Sequence, residues 1–69
     1  MRYKLVRMKQ YWALILKGGD IVGVCHRGTG YIWYFYINTQ PPKFNKGEYP
    51  SVEEAFNAFI TYQRRHGKR

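Results

Sequence analysis

Four carboxylates, two histidines and one cysteine are the first residues of this 69-residue chain to weigh for acid–base, nucleophilic or metal chemistry. Asp20 falls in a turn, Glu48 stands alone, and Glu53 and Glu54 are consecutive at the start of a helical pattern, so their side chains diverge. No two carboxylates are spaced to share a proton-transfer site. Cys25 and His26 are adjacent in a stretch that reads as a strand, where neighbours point to opposite faces, which rules against a nucleophile–base dyad. Cys25 reads as a core thiol and His66, in a run of cations, as a solvated side chain. Two histidines and one cysteine at these spacings match no zinc pattern. Gly28-Thr29-Gly30 lacks the following helix and the Lys-Ser/Thr pair of a phosphate loop and reads as a turn, although its amides and Arg27 suit one phosphate. The expectation is a protein that is not an enzyme and carries no metal or cofactor.

Binding chemistry is better supplied. Twelve Lys and Arg against four acids give a formal charge of +8, which favours polyanionic partners, nucleic acid first. Arg2, Lys4, Arg7, Lys9, Lys17 and Arg27 flank stretches that also carry Trp12, Tyr34 and Tyr36. Cations beside rings suit phosphate contacts combined with base stacking or methyl contact. These nine residues are the candidate nucleic-acid-binding set.

The elements that must hold them can be read in order. Residues 3–8 alternate basic and apolar with a slip at Leu5-Val6, as in a bulged edge strand, with a frayed basic arm as the alternative. Residues 11–17 and 20–26 read as strands around Gly18-Gly19, a favoured two-residue hairpin turn. Residues 31–38, rich in aromatic and β-branched types, read as a further strand. Thr39-Gln40-Pro41-Pro42 ends the sheet, because proline cannot donate to a ladder. A basic proline-containing loop then covers 39–50, and a basic tail covers 67–69. Between them, residues 51–66 carry the clearest helix signal. Ser51 and Glu54 form a capping-box pattern, and Val52, Ala55, Phe56, Phe59 and Ile60 make one apolar stripe.

The expected fold is a single α+β domain, an antiparallel three- to four-stranded meander with one C-terminal helix packed on one face. If both hairpin turns are tight, Leu16 faces Ile21, Leu14 faces Gly23 and Trp12 faces Cys25, with Ile32, Tyr34 and Tyr36 continuing that face. Tyr11, Ala13, Ile15, Val22, Val24, Trp33, Phe35 and Ile37 then form the face under the helix. The uncovered face is too apolar for water and is expected to meet a partner.

The start of the chain imitates a secretory signal, but its apolar run is too short and Gly18-Gly19-Asp20 is no cleavage site. No stretch approaches the ~20 apolar residues of a membrane-spanning helix. With a single cysteine no intrachain disulfide can form, so a reducing, intracellular, cytoplasmic setting is expected.

The order of strands and helix, with Gly47-Glu48-Tyr49-Pro50-Ser51-Val52-Glu53-Glu54-Ala55 leading into the helix, resembles the plant ethylene-response-factor domain and the arm-type DNA-binding domain of tyrosine integrases. Tyr3-Lys4-Leu5-Val6-Arg7 is similar to the first strand of the plant domain, with Leu5 in place of its glycine, and Trp12-Ala13-Leu14-Ile15 to its second. The resemblance implies a sheet lying in the DNA major groove, with Lys4, Arg7 and Trp12 touching DNA. The expected function is a small basic nucleic-acid-binding protein, DNA over RNA, reading duplex DNA through its sheet face as an accessory or regulatory factor. The alternative is a protein-binding module, such as an inhibitor or regulator from a phage or mobile element. Its second apolar sheet face would then meet an acidic protein or a second copy of the chain.

Overall fold

The computed structural model describes residues 2–38, 43–44 and 47–66. The alternating, ring-rich first half forms four antiparallel strands, β1 (Tyr3–Lys9), β2 (Trp12–Lys17), β3 (Asp20–Arg27) and β4 (Trp33–Ile37), ordered in the sheet as in the chain. A two-residue strand, β5 (Lys43–Phe44), adds to the outer edge of β4. The sequence reading assigned residues 43–44 to a loop. Two residues behind a proline pair are too short to show a strand period, which is why the pattern missed them. Residues 39–42, 45–46 and 67–69, the rest of the basic loop and the basic tail, lie outside the described residues.

The turns follow from their glycines. Gly18 and Gly19 adopt φ of 62° and 89°, the paired positive values that a two-residue hairpin needs and that side-chain-bearing residues resist. Between β3 and β4 a single 3-10 turn, Thr29–Tyr31, reverses the chain. Gly30 and Tyr31 both take positive φ there, and the Gly28 amide donates to the Ile32 carbonyl at 2.7 Å.

The helix α1 (Val52–His66) begins where its signals predict. The Glu54 amide donates to Ser51 Oγ at 3.2 Å, and the Ala55 amide donates to the Ser51 carbonyl at 3.1 Å, so Ser51 caps the first turn. The helix lies over β3 and β4 and buries Val52, Ala55 and Phe59 against Ala13, Ile15, Cys25, Trp33, Phe35 and Ile37. Phe59 is fully buried and meets Tyr3 and Phe35 edge-to-face, with ring centroids 5.6 Å away in both cases. The chain is an α+β protein, a four-stranded antiparallel meander with a C-terminal helix on one face.

One difference from the expected register reorganises β3. Leu16 pairs with Ile21 as expected, but Ile15 pairs with Gly23, so Val22 is an extra residue and the strand is bulged. From there on Leu14 pairs with Val24 and Trp12 with His26. Gly23 and Cys25 therefore face the helix, and Val24 and His26 face away, the reverse of the unbulged assignment. The physical reason is the approach of the helix. A Cβ built on Gly23 would lie 2.5 Å from the Phe59 ring and 3.0 Å from the Tyr36 carbonyl oxygen, so only glycine fits beneath that ring. A second irregularity lies in β1 between Arg7 and Lys9, not at Leu5-Val6, and it leaves Met8 unpaired in the ladder.

Replacing Gly23 with alanine should overpack the core and lower stability by about 1–3 kcal/mol, despite alanine's better strand propensity. Pairing it with Phe59→Leu should recover part of that loss, because both changes act on one contact. Urea unfolding of the single and double variants checks this; a neutral Gly23→Ala would contradict the packing described.

Candidate nucleic-acid interface

Strand pairing sorts the candidate residues onto two faces, because cross-strand partners share a face and neighbours along a strand do not. On the helix side of the sheet, at its rim, lie Arg7, Lys17 and Arg27. Arg7 is paired with Ala13, its guanidinium 3.6 Å from the Glu53 carboxylate and 6.0 Å from the Trp33 ring. Both charged groups of that ion pair are more than half exposed, so the pair adds little stability. Lys17 pairs with Tyr3 and holds its ammonium 5.1 Å over that ring. Arg27 pairs with Trp33 and stacks its guanidinium 4.7 Å over the Tyr31 ring, which is 72% exposed. These three cations are engaged by rings along the rim of the helix face.

The opposite face carries the others. Lys9 pairs with Trp12, Trp12 with His26 and His26 with Tyr34, forming a row across β1, β2, β3 and β4. The rings of His26 and Tyr34 are stacked, with centroids 5.5 Å apart and planes 25° from parallel. Tyr34 is also held from the side. A Cβ on Gly28 would lie 2.9 Å from Tyr34 Cε2, so the ring occupies space that only a glycine leaves open. Trp12, His26 and Tyr34 are half-buried, so part of each ring meets solvent.

One step along the strands, Val6, Leu14, Val24 and Tyr36 form a second row, and Lys4, Leu16 and Ile21 a third. Arg2 stands next to two shallow depressions at this end, one lined with Lys4, Leu16, Gly18 and Gly19, the other with Ile60 and Arg64, and both bordered by Tyr3. The open face is thus aromatic at one end and aliphatic at the other, with its cations along β1.

The carboxylates are distributed differently. Glu53 and Glu54 sit on the first turn of the helix, and Asp20 pairs with Lys17 at the hairpin end. Glu48 precedes Tyr49, which bridges to Trp33 on the outer edge of β4.

Of the nine residues singled out from the sequence, Lys4, Lys9, Trp12, Tyr34 and Tyr36 share the open face, and Arg2 stands at its β1 end. Arg7, Lys17 and Arg27 do not join them. The resemblance to sheet-type DNA-binding domains groups Lys4, Arg7 and Trp12, but Lys4 and Arg7 are three residues apart on an unbulged stretch and face opposite ways. His26 belongs to the ring row, although its position beside Cys25 in the chain suggests only a pairing with that thiol. Its place depends on the Val22 bulge, whose only local signal in the chain is Gly23 itself. Comparison with family models, curated proteins and solved structures finds no match to this chain.

Among the described residues no group of three His, Cys, Asp or Glu is placed to hold a metal ion, and no helix is long and apolar enough to cross a membrane. Cys25 is fully buried beside Phe35 and Ala13 in the ladder, and burial pushes its thiol from 9.0 up to about 12. A thiol held neutral in the fold binds its proton more tightly than in the unfolded chain. Its contribution to stability is complete below about pH 9 and is lost as the pH rises toward about 12. Across that window the wild type should lose about 1.4 kcal/mol per pH unit more than Cys25→Ala. Urea midpoints measured for both proteins from pH 8 to 10.5 check this, and parallel curves would contradict it.

Proposed function

We propose that this protein binds nucleic acid through the open face of its sheet and acts as an accessory or regulatory DNA-binding factor. One observation carries the reading: the Trp12–His26–Tyr34 row lies on a face bordered by Lys4, Lys9 and Arg2 and left uncovered by the helix. Rings supply stacking and methyl contacts, and cations supply phosphate contacts. The net charge of +8 attracts a polyanion over distance and speeds the encounter. The helix serves as the rigid back of this surface.

A second reading is favoured by the aliphatic end of the same face. Val6, Leu14, Leu16, Val24 and the 45% exposed Ile21 form a patch suited to a protein partner or a second copy of the chain. Size exclusion with light scattering separates the two, since a salt-stable dimer indifferent to DNA would support the protein interface.

The salt dependence of DNA binding tests the leading reading. Three cations, Lys4 and Lys9 on the open face and Arg2 at its end, correspond to a log–log slope of about −2 to −3 at 0.7–0.9 per phosphate. Adding Arg7, Lys17 and Arg27 would make six contacts and a slope of about −4 to −5. Lys9→Ala should make the slope shallower by about one, and Arg7→Ala on the helix side should leave it unchanged. A flat salt response, or an effect of Arg7→Ala equal to that of Lys9→Ala, would sink the assignment.

A further inference from the structure

The ring row also bears on which form of DNA this face fits, an inference that rests on the reading above. We infer that the open face is a stacking platform for two or three nucleotides of single-stranded DNA, with the bases on Trp12 and the His26–Tyr34 pair and the phosphates along β1.

Width is the first argument. The major groove is about 12 Å wide and accepts a helix or a two-stranded ribbon. The row crosses β1 to β4 at one end of the sheet, and four strands span about 14 Å from centre to centre, at ~4.8 Å per spacing. A row spread over four strands is wider than that groove, so its rings cannot all lie on base edges within it. Unpaired bases need no groove, because they offer their faces to any accessible ring.

Chemistry is the second argument. Base-edge readout is carried chiefly by Arg, Lys, Asn or Gln aimed at the bases from within the contact. The open-face rows hold Val6, Leu14, Leu16, Ile21 and Val24 among the rings, with lysines only on β1. Such a surface suits stacking and the thymine methyl group.

Preorganisation is the third. Tyr34 is fixed by its stack on His26 and by the gap at Gly28, so little side-chain freedom is lost when a base adds to the stack. Charge then sets the direction of the chain. With the open-face lysines on β1, the sugar–phosphate backbone runs on the β1 side and the bases point toward β3 and β4.

The test is fluorescence anisotropy at low salt with labelled dT12, U12 and a 12-base-pair duplex, using the full chain. The account expects dT12 to bind most tightly. Trp12→Ala and Tyr34→Ala should each weaken dT12 binding about 5- to 100-fold, the usual effect of losing one stacking ring. Gly28→Ala, which displaces the Tyr34 ring without touching the core, should weaken it in the same direction. A fold-independent readout comes from Trp33→Phe, which leaves Trp12 as the sole indole; its fluorescence should be quenched on adding dT12. Duplex binding as tight as dT12, or an unquenched Trp12, would overturn the single-strand inference while leaving nucleic-acid binding intact. U12 binding as tightly as dT12 would overturn the contact with the thymine methyl group. Failure of all three ligands to bind would overturn both this inference and the function proposed above.

Discussion

The Phe59 ring lies against the bare backbone of Gly23, and most of the molecule is arranged around that approach. A helix with one apolar stripe lowers its free energy only by closing on a flat apolar surface. The depth of closure is set by the largest ring at the interface. At Gly23 the sheet yields the space of one side chain, and Phe59 fills it between Tyr3 on the first strand and Phe35 on the fourth. Burying such a ring is worth roughly 1.5–3 kcal/mol, a large share for a chain of this size. The bulge at Val22 delivers Gly23 to that position. Without it a valine would stand under the helix and the glycine would face solvent.

The same bulge decides what the other face contains. By moving Cys25 inward it moves His26 outward, between Trp12 and Tyr34, and completes a ring row across three strands. The inward thiol is inert for the reason that makes it a good core residue: it is desolvated and held neutral. The covered face and the open face are therefore two consequences of one register shift. A packing requirement on the helix side shapes the surface presented on the other.

Local signals in the chain were strong enough to show the elements. The Ser51–Glu54 spacing, the apolar stripe from Val52 to Ile60 and the Gly18-Gly19 pair act over a few residues, and each appears in the structure where it was read. The face assignments of β2 and β4 were legible for the same reason, since Ala13, Ile15, Trp33, Phe35 and Ile37 alternate cleanly. What was not legible is non-local. The β3 register depends on a ring thirty-six positions away in the sequence, as the interval from Gly23 to Phe59 shows. The division of the basic residues follows from strand parity and from the irregularity at Met8, and composition carries neither. Arg7, Lys17 and Arg27 look like binding residues in the chain, and in the fold they lie over Trp33, Tyr3 and Tyr31.

The central claim is that closure of the helix on one face leaves the other as the binding surface. Amide chemical-shift mapping of the labelled protein during addition of dT12 tests it residue by residue. The account predicts that shifts concentrate at Lys4, Lys9, Trp12, His26 and Tyr34, while the helix from Val52 to Arg65 stays unchanged. Perturbations concentrated on the helix and on Arg7, Lys17 and Arg27 would contradict it, because the partner would then be engaging the face described here as the back of the molecule.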